Sequence, residues 1–295
     1  MKFYTTAEYA EKIGVDEAVV KKQAIAGKVK SINVTKSQPN LIMDQENTET
    51  SIIGLMNLKG GAGKTTLASH LAVMLSKIGL KVLLIDTDHQ AQCKLFFPQQ
   101  DYEFALDDIL SQNANVKDAI YSVNTENSKL DIIYSSYSLA LFAHNYKNLD
   151  GFLEMVNKVK DDYDFIVVDT SPNFDIINRN VATTVTHIII PVIPTNMHVE
   201  GIEHQRDALQ KIAHVPLERI IGIIPNNVNE KKVEHPSYIE YLKEVYTDVV
   251  FDTYIPGDPW LEKVSTYGTN LFDYREKSRA SQALKKFTWE TLRRL

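Results

Sequence analysis

Three glycines and two lysines interleaved in Lys59-Gly60-Gly61-Ala62-Gly63-Lys64, with Thr65 and Thr66 behind them, constrain this chain more than any other stretch. Upstream, Ile52-Ile53-Gly54-Leu55-Met56-Asn57 reads as a buried strand; downstream, Leu67, Leu71, Met74, Leu75 and Ile78 recur at helical spacing. The pattern is strand, glycine-rich turn, helix. In that context the glycines let backbone N–H groups converge on phosphate oxygens, the helix N-terminus adds the positive end of its dipole, and Lys64 supplies a mobile cation. Thr65 is placed to ligate Mg²⁺.

A conventional phosphate-binding loop carries glycine six residues before its lysine; here that position is Leu58, followed by an additional Lys59. The stretch resembles the deviant Walker A motif, K-G-G-x-G-K-[ST]-[ST], of the ParA/MinD family of ATPases. The resemblance implies ATP and Mg²⁺ as cofactors, with Lys59, Gly60, Gly61, Ala62, Gly63, Lys64, Thr65 and Thr66 around the phosphates. It further implies a homodimer sandwiching two nucleotides, in which Lys59 reaches the partner's phosphates.

Val82-Leu83-Leu84-Ile85-Asp86-Thr87-Asp88-His89-Gln90 delivers two aspartates at the C-terminal end of a buried strand, where α/β sheets bind ligands. It resembles the family's D-x-D-P-Q motif, with His89 in place of Pro. By that resemblance Asp86 belongs to the Mg²⁺ surroundings and Asp88 orients the attacking water. Phe165-Ile166-Val167-Val168-Asp169 is a Walker B pattern, whose acid in relatives holds Mg²⁺ through water; Ser171 stands where relatives often carry Pro. Ile190-Pro191-Val192-Ile193-Pro194 with Glu200-Gly201 matches a further family stretch. The strand from Ile220 ends at Asn226, which with Pro256 is a candidate for contact with adenine. Between these motifs, Ala105 to Leu110, Val116 to Tyr121 and Leu149 to Val159 read as helices, and Leu130 to Tyr134 and Thr186 to Ile193 as strands. His198, His204, His214 and His235 show no spacing to acids that makes a zinc site, and there is no nucleophile elbow. Phosphoryl transfer is the chemistry these motifs support.

The formal net charge of −6 over 295 residues argues against a protein that coats nucleic acid with its whole surface, so DNA contact is confined to local basic patches. Two such patches lie near the ends. Cys93 is the only cysteine, which excludes an intramolecular disulfide and fits a reducing compartment. No apolar run approaches the roughly 18 residues that span a bilayer, and the polar N-terminus is not a signal peptide. A cytoplasmic, nucleoid-associated protein is expected, with no membrane partner.

Thr5-Thr6-Ala7-Glu8 is a capping box opening a helix through Ile13; Gly14 ends it, and Asp16 caps a second helix to Gly27. Val29, Ile32 and Val34, a polar turn, and Leu41-Ile42-Met43 make a β-hairpin wing. Residues 1–44 look like the small winged helix-turn-helix modules of excisionase and MerR-type DNA binders. That likeness puts Lys21, Lys22 and Gln23 toward DNA and Lys36 on the wing. Residues 45–51 read as a linker, and 52–295 as the ATPase domain.

From Arg275 to Leu295, seven basic residues face two acids, a net of +5. In the ParA branch of the family the C-terminal region helps the ATP-bound dimer hold nonspecific DNA, which makes Arg275, Lys277 and Arg279 candidates. Leu284, Phe287, Leu292 and Leu295 lie near one side of the same helix, so a MinD-like membrane tail is an alternative. A regulator that only senses nucleotide is another. The expected fold is a doubly wound, mostly parallel α/β sheet preceded by the winged module. The resemblance implies a ParA-type partition ATPase that dimerises on ATP, binds nonspecific DNA, is released on hydrolysis and answers to a centromere-binding ParB-type partner. Its N-terminal module would read operator DNA and repress the protein's own operon.

Overall fold

The computed structural model describes residues 1–44, 49–125 and 128–295 of the chain. Strand β1 (Phe3–Thr5) leads into helices α1 (Thr6–Ile13) and α2 (Glu17–Ile25), followed by β2 (Ser31–Ile32) and β3 (Leu41–Met43). Thr5 and Glu8 cap α1 reciprocally, each side chain bonding the other's backbone N–H, and Gly14 ends it at φ 69°. Asp16 caps α2 through the Ala18 N–H at 2.7 Å. The hairpin gains a third strand: β1 pairs with β3, giving the antiparallel order β1-β3-β2. The linker read at 45–51 falls partly on residues 45–48, which lie outside the described residues, and its last residue, Ser51, already opens a strand.

The remaining strands are β4 (Ser51–Leu55), β5 (Val82–Asp86), β6 (Tyr121–Thr125), β7 (Ser128–Ile133), β8 (Phe165–Asp169), β9 (His187–Val192) and β10 (Ile220–Pro225). Helices α3 (Lys64–Lys77), α4 (Leu106–Leu110), α5 (Leu139–Asn145), α6 (Gly151–Asn157), α7 (Ile176–Thr184) and α8 (Asn196–Asp207) alternate with them. Four more, α9 (Glu234–Tyr246), α10 (Pro259–Thr266), α11 (Leu271–Tyr274) and α12 (Arg279–Arg293), close the chain. The sheet order is β10-β9-β4-β8-β5-β7-β6, parallel except for β6. The helix expected over Val116 to Tyr121 shrinks to one 3₁₀ turn at Val116–Ala119, because Tyr121 opens β6 and pairs with Ile132 of β7. Pairing with a neighbouring strand overrides a local helical reading.

Because successive strand residues point to opposite faces, the sheet sorts its side chains into two cores. Leu84, Phe165 and Val167 meet Leu67, Leu71 and Leu75 of α3 and Leu284, Phe287 and Leu292 of α12. On the other face, Leu83, Ile85, Ile166 and Val168 meet Phe152 and Val156 of α6 and Val181 of α7. The apolar stripe of α12 is therefore spent on the core, which removes the basis for a membrane tail. Among the described residues no helix is long and apolar enough to cross a membrane.

The N-terminal module shares the first core, through Met1, Phe3, Ile32, Val34, Leu41 and Met43. It is also tied to α12: Trp289 Nε1 donates to the Pro39 carbonyl at 2.9 Å, and Arg293 donates to the Phe3 carbonyl at 2.8 Å and pairs with Glu8. Arg294 donates to the carbonyls of Ile221 and Val250, at 2.9 and 2.8 Å, and Lys285 pairs with Glu276. Lys285, Arg293 and Arg294 are thus engaged within the fold, and the net charge read from sequence overstates what DNA could meet.

His70 joins the first turn of α3 to α11. Its Nδ1 donates to the Thr66 carbonyl at 2.7 Å, and its Nε2 accepts the Leu271 N–H at 3.0 Å. Only the neutral ring satisfies both bonds. Burial accordingly lowers its pKa from 6.5 to about 4. Since the folded ring binds fewer protons than the unfolded one between these values, its contribution is full above pH 6.5 and is lost as pH falls. Urea denaturation is expected to show roughly 3 kcal/mol of stability lost to this group between about pH 6.5 and about pH 4. A His70→Gln variant, less stable at neutral pH, is expected to show a correspondingly flatter acid limb.

Candidate nucleotide site

Register brings the site together. Leu55 of β4 and Asp86 of β5 both flank Asp169 of β8, so the strand that launches the P-loop and the two acidic strand ends are neighbours. Asn57 fixes the exit from β4: its Nδ2 donates to the Pro191 carbonyl at 2.6 Å, and its Oδ1 accepts the Lys59 N–H at 2.8 Å. Gly61 and Gly63 adopt φ of 75° and 87°, a region that disfavours side chains, and Gly63 leads directly into α3. A Cβ at Gly63 would lie 2.1 Å from Asn226 Nδ2. That amide donates to the Ala62 carbonyl at 2.8 Å, so Asn226 straps the loop from the end of β10.

A cavity of about 370 Å³ opens here, lined by Gly61, Gly63, Thr65, Thr66, Asn226 and Asp258 among others. Lys64 is buried, its Nζ 3.4 Å from the Lys59 carbonyl. Burial pulls its pKa down, opposed by the carboxylates of Asp169 and Asp88. The stem of Lys59 lies against α8, where a Cβ on Gly201 would come within 2.8 Å of Lys59 Cγ. Gly201, read from sequence as a fold marker, leaves room for that lysine.

The three acids differ in setting. Asp86 is buried and accepts two backbone N–H groups, from Asp88 at 3.0 Å and Cys93 at 3.1 Å, which shape the loop that carries Asp88. Ala91 in that loop stands at φ 50°, and its N–H bonds the Asp88 carbonyl at 2.8 Å. Asp88 Oδ1 accepts the Gln90 N–H at 3.0 Å. Asp169 is fully buried, and burial pushes its pKa up to about 7, against the pull of the Thr65 hydroxyl and Lys64 beside it. Burial and the charge of Asp169 likewise raise Asp86 well above the carboxylate range. Asp169 Oδ1 has no hydrogen-bond partner among the described residues. Two adjoining buried carboxylates with an orphaned oxygen, next to a threonine hydroxyl, fit a divalent cation, which would relieve both the repulsion and the missing bond.

Thus Lys59, Gly60, Gly61, Ala62, Gly63, Lys64, Thr65, Thr66, Asp86, Asp88 and Asp169 gather around the strand ends. Pro256 lines neighbouring clefts but not the P-loop cavity. Lys21, Lys22, Gln23 and Lys36 lie in the N-terminal module, with Lys21 paired to Glu17 at 3.0 Å on a helix that also exposes Val19 and Ile25. Arg275 stacks 4.0 Å over Trp260, Lys277 is exposed, and Arg279 pairs with Glu230 at 2.6 Å. Sequence reasoning missed His198, whose buried Nδ1 has no partner among the described residues and whose pKa burial and then Lys59 and Lys64 lower. It also missed Cys93, whose sulfur lies 3.5 Å from Asp169 Oδ2. Neither belongs to a spacing pattern that would have marked it.

Gly63→Ala is expected to weaken nucleotide binding at least about tenfold, or ~1.4 kcal/mol, because strain at φ 87° and the clash with Asn226 both deform the cradle. Titration calorimetry with ATP and Mg²⁺ checks it; unchanged affinity would mean that the loop does not hold phosphate.

Residues 50–221 match the family model described as an AAA domain. The chain is 30% identical over 240 residues to an ATP-binding protein of Methanocaldococcus jannaschii, covering 80% of this chain and 85% of that one. It is 28% identical over 239 residues to the sporulation initiation inhibitor protein Soj of Bacillus subtilis, covering 78% and 94%. Among solved structures, the septum site-determining protein MinD of Pyrococcus horikoshii, complexed with Mg-ADP, superposes with a TM-score of 0.70 at 26% identity, covering 82% of this chain and 96% of MinD. With the paired lysines, the strand-end acids and the parallel sheet in place, the chain belongs to the ParA/MinD family of deviant Walker A ATPases.

Proposed function

We propose that the chain is a partition ATPase whose ATP-bound homodimer holds nonspecific DNA and lets go after hydrolysis. The observation that carries the DNA part is a run of basic groups on α12 and just before it. Lys277, Arg279 and Lys286 line a groove of about 480 Å³, and the Trp289–Pro39 bond brings the hairpin loop that carries Lys36 to the same helix, one turn from Lys286. The groove shares Pro256 and Arg279 with a second cleft, which in turn shares Asn227, Asp258 and Glu262 with the P-loop cavity. A nucleotide-driven shift at the end of β10 would therefore be felt at the basic groove.

In this reading the P-loop N–H groups and Lys64 hold the phosphates, and Thr65, Asp86 and Asp169 hold Mg²⁺. When bound, Mg²⁺ neutralises charge on the phosphate oxygens. Asp88, on a loop pinned by Asp86, orients the attacking water. Lys59 swings from its groove at Gly201 to the partner's phosphates, stabilising charge that develops there. Phosphoryl transfer asks mainly for such positioning and electrostatics, so basal turnover is slow until a ParB-type partner stimulates it. Asn226 and Pro256 flank the base.

The N-terminal module adds specific DNA binding through Lys21, Lys22 and Gln23 on α2, with Lys36 on phosphate, and so autorepression. A footprint on the DNA upstream of its own gene tests this; none with ADP or ATP would sink it.

Asp88→Ala is expected to form an ATP dimer that still holds DNA but does not hydrolyse; size-exclusion chromatography showing monomer with ATP would refute that. The deciding experiment measures binding to nonspecific duplex DNA with ATP, with ADP and without nucleotide at several salt concentrations. ATP-selective binding that weakens steeply with salt supports the partition reading. Equal or absent binding in all three states removes it.

A further inference from the structure

The acidic end of the sheet also holds a sulfur. Cys93 opens a 3₁₀ turn at Cys93–Phe96, and its Sγ and one carboxylate oxygen each of Asp86 and Asp169 all lie within 4.8 Å of one another. All three residues are buried: Cys93 and Asp169 are 0% exposed and Asp86 1%. The turn is fixed from the same cluster, since the Cys93 N–H donates to Asp86 Oδ2 at 3.1 Å while the thiol donates to Asp169 Oδ2 at 3.5 Å. Asp169 Oδ1, buried and without a partner among the described residues, is a further polar atom of the cluster that a cation would satisfy.

We propose that Asp86, Cys93 and Asp169 form a mixed sulfur and carboxylate site that takes a soft divalent cation such as Cd²⁺ or Zn²⁺. Mg²⁺ is hard and takes oxygen ligands, so Cys93 adds nothing to its binding. A thiolate selects soft ions, and three protein ligands leave one position of a tetrahedral ion for water. Ligand atoms about a tetrahedral zinc ion stand roughly 3.3–3.8 Å apart, so the cluster needs to close by only about 1 Å. On binding, the thiol proton and any proton held by Asp86 or Asp169 leave for the buffer as the bonds to the metal form, and no electron changes hands. Three anionic ligands exceed the ion's charge by one, and Lys64, held near Asp169, offsets the excess. Because Asp86 and Asp169 are shared with the Mg²⁺ surroundings, a soft ion seated here competes with the cation that accompanies nucleotide. The inference goes beyond the partition reading and does not depend on DNA binding.

Cys93 is the only cysteine, so any thiolate-to-cadmium charge-transfer absorption belongs to it. Titrating the metal-free full chain with Cd²⁺ is expected to give that ultraviolet band saturating at one equivalent, absent in Cys93→Ser. Asp86→Asn and Asp169→Asn, checked for folding by circular dichroism, are each expected to weaken Cd²⁺ binding at least tenfold. X-ray absorption on the wild-type Cd²⁺ complex, which needs no variant, is expected to find one sulfur with the remaining ligands oxygen or nitrogen. No band, a band unaffected by both aspartate substitutions, or two sulfurs per cadmium would each overturn the site.

Discussion

Two carboxylates held side by side in a dry place, Asp86 and Asp169, set the terms for everything around them. Parallel pairing of β5 with β8 fixes their adjacency. Burial raises both pKa values, the charge of Asp169 adds to the rise at Asp86, and Asp169 Oδ1 has no hydrogen-bond partner among the described residues. Such a pair favours a positive charge beside it. A nucleotide arriving with its cation supplies that charge, which gives the fold a reason to respond to ligand beyond simple occupancy.

The P-loop, the paired aspartates and the Walker B strand were legible because each joins a buried strand to a polar end, a pattern fixed by backbone geometry and therefore visible in a linear string. Caps at Thr5 and Asp16 were legible for the same local reason. What escaped depends on residues far apart in sequence. Asn226 is a candidate base contact in the sequence, and only the fold shows its amide donating to the Ala62 carbonyl. Strand β6 forms only because β7 is there to pair with it. Arg293 and Arg294 look like free charge until the carbonyls they cap are known.

The loop from Asp86 to Cys93 is held by its own acid. Its shape rests on a carboxylate that accepts two N–H groups and on a non-glycine residue held at positive φ. Strain of that kind persists only where surrounding bonds over-determine it, and here those bonds come from the residue that also faces the cation site. The position of Asp88 and the state of the acid pair are thus mechanically linked.

The bonds from Trp289 and Arg293 to Pro39 and Phe3 span 250 and 290 positions along the chain. During synthesis the N-terminal module leaves the ribosome long before the helix that fastens it exists. Until α12 arrives, the module's apolar residues, Phe3, Leu41 and Met43 among them, lack part of their packing surface. The full packing surface of that module therefore exists only once α12 has been made.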